Sequence, residues 1–125
     1  MNDNGFRILI VDDEPNIRAG LAKGLAGEAE EIGTAKDGAE ALALFRQKHH
    51  QLVITDLKMQ GSASGLDLVK QIKHESPETL VLVITAHGSV ETSVEAMRNG
   101  AHDYISKPVD LNMLRLLVRN AHEHH

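Results

Sequence analysis

Polar side chains suited to phosphate or metal chemistry follow four short apolar runs in this sequence. The first three runs have the length and composition of a buried β-strand, and the fourth run is weaker. The reactive residues, with the runs they follow, are Asp12 and Asp13 (8–11), Asp56 (52–55), Thr85 (80–84) and Lys107 (104–105). The carboxyl ends of parallel strands meet at one edge of a sheet, where such folds bind their ligands. The sequence therefore predicts three carboxylates, a hydroxyl and an ammonium group at that edge.

Three carboxylates in one crevice repel one another, so the predicted cluster needs a compensating charge. At about 4 Å and an effective dielectric of 20, each like-charged pair costs on the order of 4 kcal/mol. Such a site either raises a pKa or holds a cation, and oxygen ligands without His or Cys favour Mg²⁺, with Mn²⁺ as the second candidate. A carboxylate beside a cation and an ammonium is suited to accepting a phosphoryl group, whose oxygens Thr85 and Lys107 would bind.

Each of these residues also has an ordinary structural explanation when it is taken alone. An aspartate that follows a strand is usually a turn residue or a helix cap, which applies to Asp12 and Asp13 singly. Thr85 can simply end a strand, and Lys107 before Pro108 can be a solvated turn residue. A site is favoured because all of these residues fall at strand ends, where a parallel sheet collects its ligands.

Alternating strands and helices must position these residues. The predicted strands are 7–11, 30–35, 52–55, 80–85 and 103–106, and the predicted helices are 15–25, 38–48, 66–74, 89–98 and 111–121. Ser89 and Asp110 are the predicted N-caps of the last two helices. Strands that alternate with helices of about ten residues indicate βαβ units. We therefore expect an α/β fold of the flavodoxin-like kind, a doubly wound five-stranded parallel sheet of order 2-1-3-4-5 with five helices.

The composition predicts one cytoplasmic domain with an aliphatic core. The chain has 125 residues, a formal net charge of −5 and no cysteine, which argues against disulfides and thiolate metal sites. Its apolar runs are far shorter than the roughly 20 residues of a membrane span, and its polar N-terminus lacks a signal-peptide pattern. The basic residues are scattered, so we expect no direct binding to nucleic acid or to a membrane.

The histidines of the chain are not expected to form a metal site. Residues 1–121 are predicted to form the domain, and residues 122–125 read as a terminal tail that could include part of a purification tag. The histidines in that tail are therefore set aside. His87 reads as a loop residue, and His49 and His50 read as the polar end of a helix.

Together these pieces resemble the receiver domain of two-component response regulators. The matching segments follow the family's order along nearly the whole chain: Val11-Asp12-Asp13-Glu14, Thr55-Asp56-Leu57-Lys58-Met59, Gly65-Leu66, Thr85-Ala86 and Lys107-Pro108. The resemblance implies that Asp56 accepts a phosphoryl group from a phosphohistidine on a sensor histidine kinase or phosphotransfer protein. It also implies that Asp13, Asp56 and the backbone carbonyl of Lys58 bind Mg²⁺ directly, while Asp12 acts through water.

The resemblance further implies how the site responds to phosphorylation. Lys107 would pair with the phosphoryl group, Thr85 would move toward it, and Tyr104 would rotate inward behind it. The Lys107–Pro108 bond would be cis. Lys58 and His87 flank the phosphoryl position and would tune the rate of dephosphorylation.

One loop departs from the family's pattern. The family usually has Pro after the methionine, whereas Met59 is followed by Gln60. The segment 61–65 (Gly-Ser-Ala-Ser-Gly) is one residue longer than expected. Because Pro fixes φ and Gly and Ser do not, this loop beside the site is predicted to be looser than in relatives.

The last helix predicts a contact surface as well as a core face. Its core stripe consists of Leu111, Leu114, Leu117, Val118 and Ala121. Met113 and Leu116 lie outside that stripe and are apolar too, which favours a second buried face, a dimer or effector contact formed with the fourth helix and the fifth strand. The alternative is scattered surface apolar residues, which are normal.

Two segments are similar to receivers attached to enhancer-binding transcription activators. They are residues 85–91 and 104–110. The similarity implies a role in transcription regulation and a C-terminal output domain that is not in this chain.

Three other functions compete with a phosphorylation-switched module. A phosphatase with an aspartyl-phosphate intermediate usually has a second Asp two residues after the nucleophile; here that residue is Lys58, and no cap domain is present. A flavodoxin-like ligand binder needs a phosphate-cradling turn after the first strand, where Asp12 and Asp13 would repel phosphate. A degenerate or stand-alone receiver that acts by protein contact without phosphorylation stays open. The chain is therefore expected to be a signalling domain that assists only its own phosphorylation and dephosphorylation, not an enzyme.

Overall fold

The computed structural model describes residues 5–58, 65–85 and 90–124. The strands are β1 Arg7–Val11, β2 Glu31–Ala35, β3 Leu52–Asp56, β4 Leu80–Thr85 and β5 Asp103–Ser106. The helices are α1 Pro15–Gly24, α2 Gly38–Lys48, α3 Gly65–Glu75, α4 Val90–Arg98 and α5 Leu111–His124. The predicted Ser89 cap, His87 and the loop that contains Gln60 lie outside the described residues.

All five strands are parallel and lie in the order β2-β1-β3-β4-β5. The predicted fold class and strand order are therefore confirmed. β3 lies between β1 and β4, and all five of its residues are buried. A central parallel strand is covered on both faces by helices, which explains why its sequence is an unbroken apolar run up to Thr55.

Alternate residues of the strands face opposite layers of helices. One apolar cluster joins the sheet to α2, α3 and α4 and includes Leu9, Val53, Val81, Phe45, Ile72 and Ala96. The other joins the sheet to α1 and α5 and includes Ile10, Ile54, Leu82, Leu21, Leu114 and Val118. The two layers hold the strand ends in register, so the residues that follow them are held in a fixed arrangement.

Helix ends follow local sequence signals where those signals are strong. The Asp37 carboxylate accepts the Glu40 N–H at 2.8 Å at the start of α2. Asp110 accepts the N–H of Asn112 at 2.9 Å, as predicted for the cap of α5. Gly100 has φ of 107° just after α4, a conformation that favours glycine at a helix end. These caps explain why the boundaries of α2, α4 and α5 near them match the predictions.

The end of α1 and both ends of α3 differ from the predictions by one residue. α1 ends at Gly24, one residue early, and a short 3₁₀ turn follows at Ala26–Glu28. α3 runs from Gly65 to Glu75, one residue longer at each end than predicted, and its buried residues are Gly65, Leu68, Val69 and Ile72, whereas Leu66 is only half-buried. A stripe at positions i, i+3, i+4 and i+7 is the usual helical core face, and the close fit of Gly65 against β3 sets its rotation.

The predicted tail from residue 122 is helical as far as His124. The reason is a contact that sequence periodicity does not show, because the His122 ring stacks on Phe6 with ring centroids 4.2 Å apart. Among the described residues, no helix is long and apolar enough to cross a membrane.

His50 was predicted to form the polar end of a helix, and that prediction is wrong. The residue lies in the core with 2% of its surface exposed. His49 adopts φ of 51° at the end of α2 and turns the chain inward. The His50 ring then lies near Phe45, at 6.3 Å between centroids, and against Gly33 of β2. A side chain at Gly33 would meet His50 Nε2 at 3.2 Å, so the small residue in β2 makes room for the ring.

Candidate functional site

The carboxyl ends of β1 and β3 bring the three predicted aspartates together. Asp12 and Asp13 follow β1, and Asp56 is the last residue of β3. One carboxylate oxygen from each of the three lies within 4.8 Å of the others. Asp12 and Asp56 are buried and Asp13 is half-buried, so the negative charges meet where water screens them poorly.

Asp56 is held by contacts to both of its carboxylate oxygens. Its Oδ2 accepts a hydrogen bond from Lys107 Nζ at 2.7 Å, and its Oδ1 accepts the backbone N–H of Lys58 at 3.0 Å. Although partial burial opposes the Lys107 charge, the hydrogen bond and attraction from Asp56 raise the pKa of Lys107. Lys107 is therefore a fixed positive charge beside a fixed carboxylate.

Asp12 lies in an unfavourable electrostatic environment. Its side chain has no exposed surface, and its Oδ1 accepts the Glu14 N–H at 2.9 Å. Its buried Oδ2 has no hydrogen-bond partner among the described residues. Burial raises the pKa of Asp12, the Glu14 N–H opposes that rise, and the nearby charge of Asp56 adds to it. A buried oxygen that lacks a donor and lies near two other carboxylates is suited to a cation.

The neighbouring strand ends supply the remaining predicted side chains. Thr85 ends β4 with 2% of its surface exposed, and its carbonyl accepts the Lys107 N–H at 2.8 Å. The Lys107–Pro108 peptide bond is cis, as the family resemblance implied. Tyr104 lies on β5 with 46% of its surface exposed, so its ring is not packed behind Thr85. Lys58 is exposed and contacts Asp56 through its backbone N–H, and His87 lies outside the described residues.

Gly65 supports the backbone at the end of β3 in a way that sequence reasoning did not find. Its N–H donates to the Leu57 carbonyl at 3.1 Å, and Leu57 N–H donates in turn to Ile84 of β4. A Cβ at Gly65 would lie 2.0 Å from the Asp56 carbonyl oxygen and 2.6 Å from Leu57 Cα. Only glycine allows α3 to begin this close to the end of β3. The sole sequence signal was the position of Gly65 in the resemblance.

Arg18 on α1 also reaches the site, although the sequence pattern did not single it out. Its guanidinium Nη1 donates to the Asp12 carbonyl oxygen at 2.7 Å. Pro15 at the first turn of α1 is the signal that could have indicated this, since it fixes where the helix begins and so places Arg18 one turn in.

An apolar surface lies on α4, β5 and α5, and its side chains are substantially exposed. These are Val94 (45%), Met97 (39%), Tyr104 (46%), Met113 (52%) and Leu116 (61%). Met113 and Leu116 therefore lie outside the core, as the periodicity of α5 predicted. We refer to these five residues as the α4-β5-α5 face.

The chain matches a known protein family and curated relatives over nearly its whole length. A family model described as the response regulator receiver domain matches residues 8–119. The regulatory protein AtoC of Escherichia coli is 42% identical over 115 residues, which are 92% of this chain and 25% of AtoC. The DNA-binding transcriptional regulator NtrC of the same organism is 36% identical over 118 residues, 94% of this chain and 25% of NtrC. The chain thus spans about a quarter of the length of the curated relatives it matches.

Solved structures of receivers superpose on nearly the whole chain. The receiver domain of NtrX from Brucella abortus has a TM-score of 0.89 at 42% identity, with 94% of this chain and 99% of that chain covered. A receiver domain protein from Clostridium thermocellum has a TM-score of 0.87 at 34% identity, with 93% of both chains covered. Sequence and structure therefore agree on one family.

Proposed function

This chain belongs to the response regulator receiver domain family, and we propose that it is a phosphorylation-switched receiver whose phosphoacceptor is Asp56. The observation that carries this proposal is the Asp56 carboxylate, bound at 2.7 Å by Lys107 and adjacent to two further carboxylates. The donor is a phosphohistidine of a sensor histidine kinase or a phosphotransfer protein. An Asp56 oxygen forms the new P–O bond as the P–N bond of the donor breaks, and the electron pair of that bond stays on the imidazole.

The acidic cluster fits a divalent cation, for which Mg²⁺ is the first candidate and Mn²⁺ the second. The fit rests on the buried Oδ2 of Asp12, which has no donor in the described part of the chain, and on an all-oxygen ligand set. Asp13, Asp56 and the Lys58 carbonyl would hold the ion, with Asp12 acting through water. When bound, the cation supplies positive charge that lowers the repulsion between Asp56 and an incoming phosphoryl group.

Side chains of this chain supply the rest of the charge compensation. Lys107 keeps its positive charge because Asp56 raises its pKa, and it is placed to bind a phosphoryl oxygen after transfer. The Thr85 hydroxyl would bind a second oxygen, and Tyr104 would then turn inward from its exposed position. Lys58 and His87 would tune dephosphorylation. The domain assists only its own phosphorylation and dephosphorylation and does not turn over an external substrate.

The output is proposed to run through the α4-β5-α5 face to a dimer partner or an output domain. Support comes from its exposed apolar side chains and from a shallow cavity of about 470 Å³ lined in part by Tyr104, Met113 and Leu117. The transcription regulators among the relatives support a role in transcription regulation, with DNA contacted by an output domain and not by this chain. We propose that the receiver module extends beyond the predicted residues 1–121 to His124, the last residue of α5, and that its compartment is the cytoplasm.

The test is the intact mass of the protein after incubation with Mg²⁺ and acetyl phosphate. The wild type is expected to gain one phosphoryl group, and Asp56→Asn is expected to gain none because the acceptor oxygen is replaced by an amide. Asp37→Asn, which removes a carboxylate at the α2 cap outside the acidic cluster, is a matched control and should be labelled like the wild type. Labelling of Asp56→Asn would show that another residue is the acceptor.

An unlabelled wild type has two explanations that a second measurement separates. Binding of beryllofluoride in the presence of Mg²⁺ would indicate an acceptor site from which the phosphoryl group is lost rapidly. Failure to bind it would favour a degenerate receiver that acts by protein contact alone.

A further inference from the structure

The main chain of Asp12 is held from two sides at the end of β1. Its N–H donates to the Ala35 carbonyl of β2 at 3.1 Å. Its carbonyl accepts a hydrogen bond from Arg18 Nη1 at 2.7 Å. β1 pairs with its neighbours only as far as Val11, so Asp12 lies one residue beyond the ladder. The Arg18 side chain therefore supplies a donor for a carbonyl that has left the regular pairing of the sheet.

Arg18 is joined to the acidic turn by more than this single bond. Its own N–H donates to the Glu14 carbonyl at 3.0 Å, and the Glu14 N–H donates to Asp12 Oδ1 at 2.9 Å. These three hydrogen bonds close a ring through Asp12, Glu14 and Arg18. The ring fixes one carboxylate oxygen of Asp12 to the turn and leaves the buried Oδ2 as the oxygen available to a ligand.

Such an anchor is needed because the Asp12 carboxylate is in an unfavourable place. It is fully buried and lies within 4.8 Å of Asp13 and Asp56 oxygens, so repulsion favours any movement that separates the charges. The hydrogen bond from Arg18 to the main-chain carbonyl of Asp12 resists that movement without using either carboxylate oxygen. The guanidinium donates to the main chain and not to the carboxylates, so it holds Asp12 in position without competing for the cation.

We infer that Arg18 is a positioning residue for the cation site of this receiver. The inference rests on the proposed function, since it assigns Arg18 the task of holding Asp12 for a bound divalent cation. Arg18 touches neither the acceptor oxygen nor the phosphoryl group and is not a catalytic residue. Outer-shell partners of a metal site typically change metal affinity by about 10- to 100-fold when they are replaced, and the lower end of that range applies here because Asp12 reaches the cation through water.

The experiment is a Mg²⁺ titration of Arg18→Met, Arg18→Lys and the wild type. Calorimetry gives the dissociation constant for Mg²⁺ alone, and intact mass with acetyl phosphate gives the Mg²⁺ dependence of phosphorylation. Arg18→Met removes the donor but keeps an apolar stem, and it should raise the dissociation constant about tenfold. The labelling rate at saturating Mg²⁺ should change little. Arg18→Lys keeps one point donor and should recover part of the affinity.

Lys23→Met is the matched control because it removes an exposed cation from the same helix, and it should bind Mg²⁺ like the wild type. A wild-type Mg²⁺ dissociation constant in Arg18→Met would overturn the inference. So would a loss of affinity that Arg18→Lys fails to recover and that matches a fall in the melting temperature without Mg²⁺, because that pattern indicates general destabilisation. If the wild type binds Mg²⁺ but is never phosphorylated, the proposed function fails while the Arg18 inference is still tested by calorimetry.

Discussion

At the scale of single residues, the carboxylates of the acidic site lower the stability of the fold. Asp12 is fully buried with one oxygen that has no donor among the described residues, and its pKa is raised first by burial and further by the charge of Asp56. Like charges within 4.8 Å of one another cost at least about 3.5 kcal/mol per pair at an effective dielectric of 20. The attraction of Lys107 offsets part of that cost. A site arranged in this way is more useful for binding a cation than for folding.

Asp12→Asn is therefore expected to stabilise the domain while it weakens cation binding. The amide oxygen can keep the hydrogen bond from the Glu14 N–H, and one negative charge leaves the cluster. We expect the free energy of unfolding in EDTA to rise on the order of 1 kcal/mol, less than the pair cost because Lys107 loses the attraction of the Asp12 charge. Thermal or urea unfolding in EDTA measures this rise, and calorimetry with Mg²⁺ measures the loss of affinity.

Asp37→Asn is the control, since it removes one carboxylate outside the cluster at a helix cap. It should leave Mg²⁺ affinity unchanged and should not stabilise the domain. An Asp12→Asn protein that is less stable than the wild type in EDTA would contradict the repulsion argument.

His50 makes the stability of this fold depend on pH. Burial is the main cause that lowers the pKa of His50 to about 4, with Glu31 opposing the shift and Arg7, Lys48 and His49 adding to it. The unfolded chain protonates His50 near pH 6.5, whereas the folded chain resists protonation until about pH 4. The unfolded state therefore binds more protons in this interval, and stability is lost as the pH falls from about 6.5 to about 4.

Replacing His50 should flatten that pH dependence. The shift corresponds to a loss on the order of 3 kcal/mol between the two ends of the interval. His50→Gln cannot titrate, so its free energy of unfolding should fall less steeply between pH 6.5 and 4.5. The measurement is urea unfolding at a series of pH values. His102→Gln, which changes an exposed histidine, should keep the wild-type slope; equal slopes in His50→Gln and the wild type would refute the assignment.

At the scale of elements, strongly apolar strands and capped helices were predictable, and close contacts between elements were not. β1 and β4 have the predicted bounds because β-branched runs of this length have few alternatives. His50 was placed on the surface because its burial depends on Gly33, which is distant in sequence and adjacent only after β2 has joined the sheet. The aspartates were found because strand ends converge in any parallel sheet. The contact of Arg18 was not predicted, because a side-chain hydrogen bond to a main-chain carbonyl produces no periodic pattern in the sequence.

Gly65 offers a sharp test of how α3 is seated on β3. A methyl group there would lie 2.0 Å from the Asp56 carbonyl oxygen, which is backbone and cannot rotate away. Gly65→Ala should therefore destabilise the domain by about 1–3 kcal/mol, the usual range for overpacking, and should slow labelling by acetyl phosphate. Urea unfolding and intact mass measure the two effects.

Gly20→Ala is the matched control for that substitution. Gly20 lies within α1, and apart from its chain neighbours and the backbone of its own helix no described atom comes within 4 Å of the position that a Cβ would take there. Alanine is favoured over glycine inside a helix, so this variant should gain about 0.5–1 kcal/mol of stability. If Gly65→Ala is as stable as Gly20→Ala, α3 is not seated on the Asp56 backbone as described.

At the scale of the whole molecule, the proposed acceptor Asp56 and the α4-β5-α5 face are linked through neighbouring strands. Thr85 at the end of β4 pairs with Ser106 of β5, and Lys107 follows directly. Tyr104 lies two residues before Ser106 on the same strand and is itself a member of the face. A change at Asp56 thus has a short covalent and hydrogen-bonded route to the exposed apolar surface. To shift the ratio of active to inactive conformations from 1:99 to 99:1, phosphorylation would have to stabilise the active conformation over the inactive one by about 5.5 kcal/mol.

The α4-β5-α5 face is expected to self-associate once the proposed acceptor Asp56 is occupied. Covering the exposed apolar side chains of α5 with a second copy of the chain lowers the free energy, because apolar surface leaves water. If occupation of the acceptor favours that contact, beryllofluoride with Mg²⁺ should increase self-association of the wild type. The double variant Met113→Ser with Leu116→Ser should raise the dissociation constant of the dimer tenfold or more, since both side chains are over half exposed at 52% and 61%. Sedimentation equilibrium with and without beryllofluoride measures the constants.

Folding should be unaffected by this double variant, because neither side chain belongs to the core clusters. Ala43→Ser, an exposed position on α2, is the control and should dimerise like the wild type. Because Asp56 is the proposed site of beryllofluoride and the substitutions lie on α5, loss of dimerisation with intact beryllofluoride binding would separate the role of the surface from that of the proposed acceptor. A double variant that dimerises as tightly as the wild type would mean that the apolar side chains of α5 serve a different partner, such as an output domain.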